Sequence, residues 1–258
     1  MSYFIGIFSL MMLAATGSAQ ILDQDVEYQD GNTSLERYMA YDQSKSGKRP
    51  GVLIVHQWMG LTDYEKMRAR QLADLGYVAF ALDMYGKNSR PKNMEDAAEQ
   101  AGKYRNDREL MRKRAAAGLE ELRKMGVCDT DNIAVIGYCF GGGVALELAR
   151  SGADVKGTVS FHGNLDTPNP DDAKNIKGKI LVQHGGADPH VPQKQVLAFW
   201  DEMEKADVNW QMNVYGNAVH AFTQKSAGND PSRGAAYNQQ ADRRSWQSMQ
   251  NFFDEIFR

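Results

Sequence analysis

Cys139 sits in Gly137-Tyr138-Cys139-Phe140-Gly141, between the β-branched run Ile133–Ile136 and a helix-prone stretch from Gly142 to Ala149. Strand, glycine-flanked turn and helix together predict a nucleophile elbow. Such a turn strains its central residue, and the flanking glycines keep Cβ atoms out of the way. It also sets the sulfur at a helix N-terminus, where the peptide dipoles favour thiolate. A thiolate needs a base, and the base needs an orienting group. Downstream the chain offers Asp188, in Gly186-Ala187-Asp188-Pro189-His190, and then His220, in Val219-His220-Ala221-Phe222. A tetrahedral intermediate on Cys139 would need two backbone donors. The Phe140 N–H, next to the sulfur, is one, and Trp58, in the loop His56-Gln57-Trp58-Met59-Gly60, is the expected second. Each such donor contributes about 3–4 kcal/mol to the transition state.

The elements that must position these residues are legible from hydrophobic pattern. Val26–Tyr28 and Leu35–Ala40 read as antiparallel strands around the turn Asp30-Gly31-Asn32. Val52–Val55, Val78–Leu82, Gly157–Phe161, Ile180–Gln183 and Trp210–Tyr215 read as further strands, mostly buried. Helices are predicted over Asp63–Leu75, within Met94–Met125 with a break at Asn106-Asp107, over Pro192–Ala206 and over Tyr237–Phe257. Strands alternating with helices imply an α/β fold. Its central sheet is mostly parallel, with helices on both faces and antiparallel N-terminal strands. In such sheets ligands bind beyond the carboxyl ends of the strands. Cys139, Asp188 and His220 each follow a strand, in the chain order of the α/β-hydrolase fold. Trp58, Phe140, Phe161 and Phe222 are expected to make the mouth of the site apolar.

Other residues compete for these roles. His190 lies beside Asp188 and is a rival base, while His56, His162 and His184 end buried strands. None of the five histidines shows helical His-x-x-x-His spacing and the two cysteines form no Cys-x-x-Cys, so no metal is expected. Cys128 opens the strand that leads to Cys139, which sets the two thiols too far apart for a disulfide.

The 258-residue chain carries 42% apolar and 24% charged residues, ordinary for a globular protein. Its net charge of −3 gives no electrostatic case for nucleic acid. Tyr3–Ala15 is almost wholly apolar and Gly17-Ser18-Ala19 supplies small residues before Gln20. Residues 1–19 therefore read as a signal peptide and 20–258 as a single domain, periplasmic or secreted, with no membrane span once the leader is cleaved.

With these residues placed, the sequence resembles the dienelactone hydrolase family. The resemblance rests on Val55–Leu61, Ala81–Gly86, Gly137–Gly142, Ser160–Gly163, Gly186–Pro192 and His220–Phe222. It implies an α/β-hydrolase acting on small-molecule esters or lactones through a Cys139–Asp188–His220 triad, with no cofactor. It also marks two departures. Gln57 stands where the family carries a glutamate that takes part in activating the cysteine. Lys87 and Gln224 stand where dienelactone-cleaving members hold the substrate carboxylate with two arginines. Gln57, Lys87, Tyr85, Phe161 and Phe222 are thus the expected pocket residues. The rival reading is a non-catalytic or low-activity binder on the same fold.

Overall fold

A computed structural model describes residues 19–258. Residues 1–18 of the expected leader lie outside the described residues. Eight strands form one sheet in the order β1-β2-β4-β3-β5-β6-β7-β8. The strands are β1 (Ile21–Asp30), β2 (Thr33–Asp42), β3 (Arg49–Val55), β4 (Val78–Leu82), β5 (Cys128–Tyr138), β6 (Gly157–Phe161), β7 (Lys179–Gly185) and β8 (Trp210–Tyr215). β1, β2 and β4 pair antiparallel, and every pairing from β4 to β8 is parallel. The N-terminal hairpin is longer than its apolar residues suggest, because β1 is polar and still pairs along its whole length with β2.

Helices cover both faces: α1 (Asp63–Asp74), α2 (Met94–Asn106), α3 (Arg108–Arg123), α4 (Phe140–Arg150), α5 (Gln193–Lys205) and α6 (Gln239–Ile256). The period-2 alternation of buried strands assigns the faces. Leu53, Val55, Ile133 and Val135 pack with Ala115, Leu119 and Val144 of α3 and α4. Val52, Ile54, Ala134 and Ile136 pack with Leu72 of α1 and with Met249 and Phe253 of α6. Asp107 separates α2 from α3, and its side chain caps α3 through the Leu110 N–H. Gly76, in the left-handed region at φ 97°, closes α1.

The approach of β5 to α4 explains the glycines of the elbow. A Cβ on Gly137 would fall 1.9 Å from the Gly141 carbonyl oxygen, and one on Gly141 would fall 2.3 Å from that of Val55. No side chain fits either gap without moving backbone. Gly141→Ala is therefore expected to lower folding stability by more than about 3 kcal/mol, measured as the shift of the urea midpoint. An unchanged midpoint would contradict this packing.

Candidate active site

Cys139 follows β5 and caps α4 with φ 55° and ψ −119°, a conformation a non-glycine residue adopts only under constraint. Its N–H is held by the Phe161 carbonyl at 3.0 Å and by His162 Nδ1 at 3.2 Å. His162 is fully buried, and burial holds its imidazole well below its usual range. It is therefore neutral, and with Nδ1 accepting, its Nε2–H donates to Thr223 Oγ1 at 2.8 Å.

The structure brings Cys139, Asp188 and His220 together. His220 Nε2 lies 3.0 Å from Cys139 Sγ, and His220 Nδ1 lies 2.8 Å from Asp188 Oδ2. The other Asp188 oxygen accepts the His190 backbone N–H at 2.8 Å. His190 thus offers Asp188 its main chain, while its ring stands 5.1 Å from the His220 ring. Burial alone would push the Cys139 thiol up. The His220 charge and hydrogen bond outweigh it, with help from the Phe140 N–H and Arg105, and the thiol is lowered. Burial alone would push His220 down, but Cys139 and the Asp188 carboxylate raise it to about 10. Thiolate and imidazolium stabilise each other as an ion pair.

The loop after β3 forms the opposite wall. Gln57 N–H donates to Glu65 Oε1 at 3.2 Å, Gly60 N–H donates to the Gln57 carbonyl at 3.1 Å, and Tyr85 O–H donates to the Trp58 carbonyl at 3.0 Å. Among the described residues, the Trp58 N–H has no acceptor. Glu65 also caps α1 in a capping box with Thr62, so one buried carboxylate fixes both helix and loop.

These walls enclose an open cavity of about 800 Å³, lined by Cys139, His220, Gln57, Trp58, Met59, Met94, Arg105, Gln224 and Arg233 among others. Several expected pocket residues lie elsewhere. Lys87 is half-exposed and paired with Glu27 on the surface. Phe161 pairs with Tyr138 in register and stacks on its ring inside the core. Phe222 is fully buried against His162 and Tyr215. Tyr85 packs beneath the site against His56 and Phe140 and supports the Trp58 loop. The apolar wall comes from Trp58, Met59, Met94 and alanines instead.

Two cavity residues escaped the sequence. Arg105 ends α2 and sets its guanidinium 5.8 Å from the Phe140 ring centroid, with a 3.3 Å bond to Asn164 Oδ1. Arg233 comes from a short 3-10 turn between β8 and α6. Arg233 lies near enough to Asp230 to lower that carboxyl, and no acidic side chain lines the cavity among the described residues. Their helix-end and loop positions carry no motif.

A family model described as "Dienelactone hydrolase family" matches residues 35–257. The chain belongs to the dienelactone hydrolase family. A putative carboxymethylenebutenolidase of Saccharolobus solfataricus is 25% identical over 272 residues, 91% of this chain and 99% of that one. A probable 2-oxo-3-(5-oxofuran-2-ylidene)propanoate lactonase of a Bradyrhizobium species is 26% identical over 209 residues, 76% of this chain and 84% of that one. Among solved structures, a dienelactone hydrolase-like promiscuous phosphotriesterase from metagenomic libraries is 40% identical with a TM-score of 0.88. That match covers 93% of this chain and 99% of that one.

The Cys139–His220 pairing has a direct chemical readout. Alkylation by iodoacetamide follows the thiolate fraction, so the wild-type rate should rise at a pH below the ordinary thiol range of about 8.5. In His220→Ala burial acts without its counter-charge, and the profile should move up to that range or beyond. Superimposable profiles would contradict the ion pair.

Proposed function

We propose that this dienelactone hydrolase family member cleaves carboxylic esters or lactones through a thioester on Cys139. The observation that carries this reading is the Cys139 sulfur, 3.0 Å from His220 Nε2 on the wall of an open cavity. The thiolate attacks the carbonyl carbon, and the oxygen takes the negative charge opposite the Phe140 and Trp58 amides. The intermediate collapses by breaking the bond to the leaving oxygen, which takes the proton from His220. Neutral His220 then removes a proton from water as it attacks the thioester, and Cys139 leaves again as thiolate. Asp188 holds the imidazole so that Nε2 faces the sulfur throughout. Thiolate leaves more readily than an amine, which favours esters, lactones and thioesters over amides.

Arg105 and Arg233 line the cavity with no acidic residue in its wall, which gives it a positive field. They support substrates with a negative group outside the scissile bond, a role Lys87 is too far outside the cavity to play. The phosphotriesterase relative motivates including a phosphotriester among the substrates tried. The apolar leader supports export of the mature chain.

With a nitrophenyl ester, Cys139→Ala should lose roughly a thousandfold or more of kcat/KM. Rapid-quench mass spectrometry should find an acyl group on Cys139 in the wild type. Unchanged turnover in the variant would end the Cys139 reading, whereas ligand protection with neither acylation nor turnover in the wild type would favour the non-catalytic binder. Arg105→Met should raise KM for a succinyl ester about tenfold relative to a neutral acetyl ester, the equivalent of about 1.4 kcal/mol. Equal effects on both esters would remove the anion preference.

A further inference from the structure

His220 reaches Cys139 from a stretch of chain that would not hold that pose alone. The next residue, Ala221, lies in the left-handed region at φ 56°, which a non-glycine residue keeps only under constraint. The constraint comes from the segment before α6. His220 N–H donates to the Gly234 carbonyl at 3.2 Å, and the His220 carbonyl accepts from the Ala236 N–H at 3.0 Å. Both main-chain polar groups of the histidine are thus spent on one short segment. That segment is itself stiff. Its turn Pro231–Arg233 is capped by Asp230, whose carboxylate accepts from the Ser232 N–H at 3.0 Å and from the Ser232 hydroxyl at 2.6 Å. The Gly234 N–H closes the turn on the Pro231 carbonyl at 3.0 Å.

Gly234 also lies against the loop that carries Asp188. A Cβ there would fall 2.9 Å from Pro189 Cγ and 3.7 Å from His190 Nε2. The second distance is ordinary contact. The first is a clash, and a proline ring cannot turn aside from it. Elsewhere the same two loops are tied by main chain, Ala187 N–H to the Ala218 carbonyl at 2.9 Å and Gly186 N–H to the Tyr215 carbonyl at 2.8 Å. The 2.8 Å bond between Asp188 and His220 therefore spans loops held by a backbone tie and by the Gly234 contact. A side chain at 234 would wedge the segment that holds His220 away from the loop that holds Asp188.

We propose that Gly234 is a positioning residue, whose missing side chain lets the segment from Asp230 to Ala236 set His220 against both Asp188 and Cys139. This rests on the hydrolase reading above. The same segment carries Arg233 and Ala235 into the cavity wall, so the base and a substrate-facing cation share one stiff piece of chain.

The test uses the whole protein, with nitrophenyl acetate and iodoacetamide as probes. Gly234→Ala should lower kcat about tenfold or more, since small displacements of a catalytic group are costly. Its Cys139 alkylation profile should move up toward that of His220→Ala. Gly234→Asn adds the same Cβ on a residue that accepts positive φ, and should shift the profile likewise. Adding Pro189→Ala to Gly234→Ala removes the clashing ring atom and should restore the profile and most of kcat, while the melting temperature stays lowered by the strained φ. Gly31→Ala is the control for that strain, because Gly31 has φ 57° in the turn between β1 and β2 with nothing within 4 Å of its Cβ position. It should lower the melting temperature and leave the alkylation profile that of the wild type. A wild-type profile in both Gly234 variants, no recovery with Pro189→Ala, or an equal shift in Gly31→Ala would each overturn the proposal. A wild type that turns over no ester overturns the hydrolase reading, and the alkylation profiles then still decide the role of Gly234.

Discussion

The backbone of Cys139 is bent into a conformation that nothing local would choose, and the site is built around that bend. Gly137 and Gly141 make it possible, because β5 and α4 approach more closely than any side chain allows. The bend sets Sγ at the first turn of α4, near the Phe140 N–H. It turns the Cys139 N–H onto Phe161 and His162, which hold the strain in place. Such strain persists only where surrounding contacts over-determine it. The sheet supplies those contacts, since β5 lies between β3 and β6 with both neighbours buried.

The histidine side of the site depends on a different device. The segment after His220 is tied to α1 and α6 by polar bonds in the interior. Thr223 Oγ1 meets His162 Nε2 and the Tyr64 hydroxyl at 2.7 Å, while Arg68 bonds the Thr223 carbonyl and pairs with Asp242 of α6. Arg68 also lies over the rings of Tyr64 and Trp246. A continuous path of hydrogen bonds therefore runs from α1 through Thr223 and His162 to the Cys139 amide. Each member is buried or half-buried, so each bond is stronger than its solvent-exposed equivalent, and each loss would leave an unpaired group.

How much of this could be read from residues alone follows from the range of the forces involved. The elbow was legible because its steric demand is local: two glycines and a cysteine within five residues. Asp188 and His220 were legible because strand ends are local too, and parallel sheets gather strand ends on one side. The cavity walls were not. Phe161 and Phe222 adjoin the site in sequence, yet the pairing of Tyr138 with Phe161 turns one ring into the core and His162 claims the other. Lys87 pairs with Glu27, inside the part of β1 that the sequence does predict, but that cross-strand ion pair is set by tertiary placement and carries no local signal. Arg105 and Arg233 reach the cavity only through the docking of α2 and the path of the chain between β8 and α6. The contact of Gly234 with Pro189 can be recognised only once the two loops are folded together.

The sulfur and its imidazole partner are 81 residues apart, and the carboxylate lies between them, 32 residues before that imidazole. A chain still being made carries an ordinary, largely protonated thiol. The imidazole that lowers the Cys139 thiol reaches it only after β8 has joined the sheet and α6 has locked the segment behind His220. Folding is thus also the arming step. In an incomplete copy the sulfur has no imidazole partner and keeps the reactivity of an ordinary thiol.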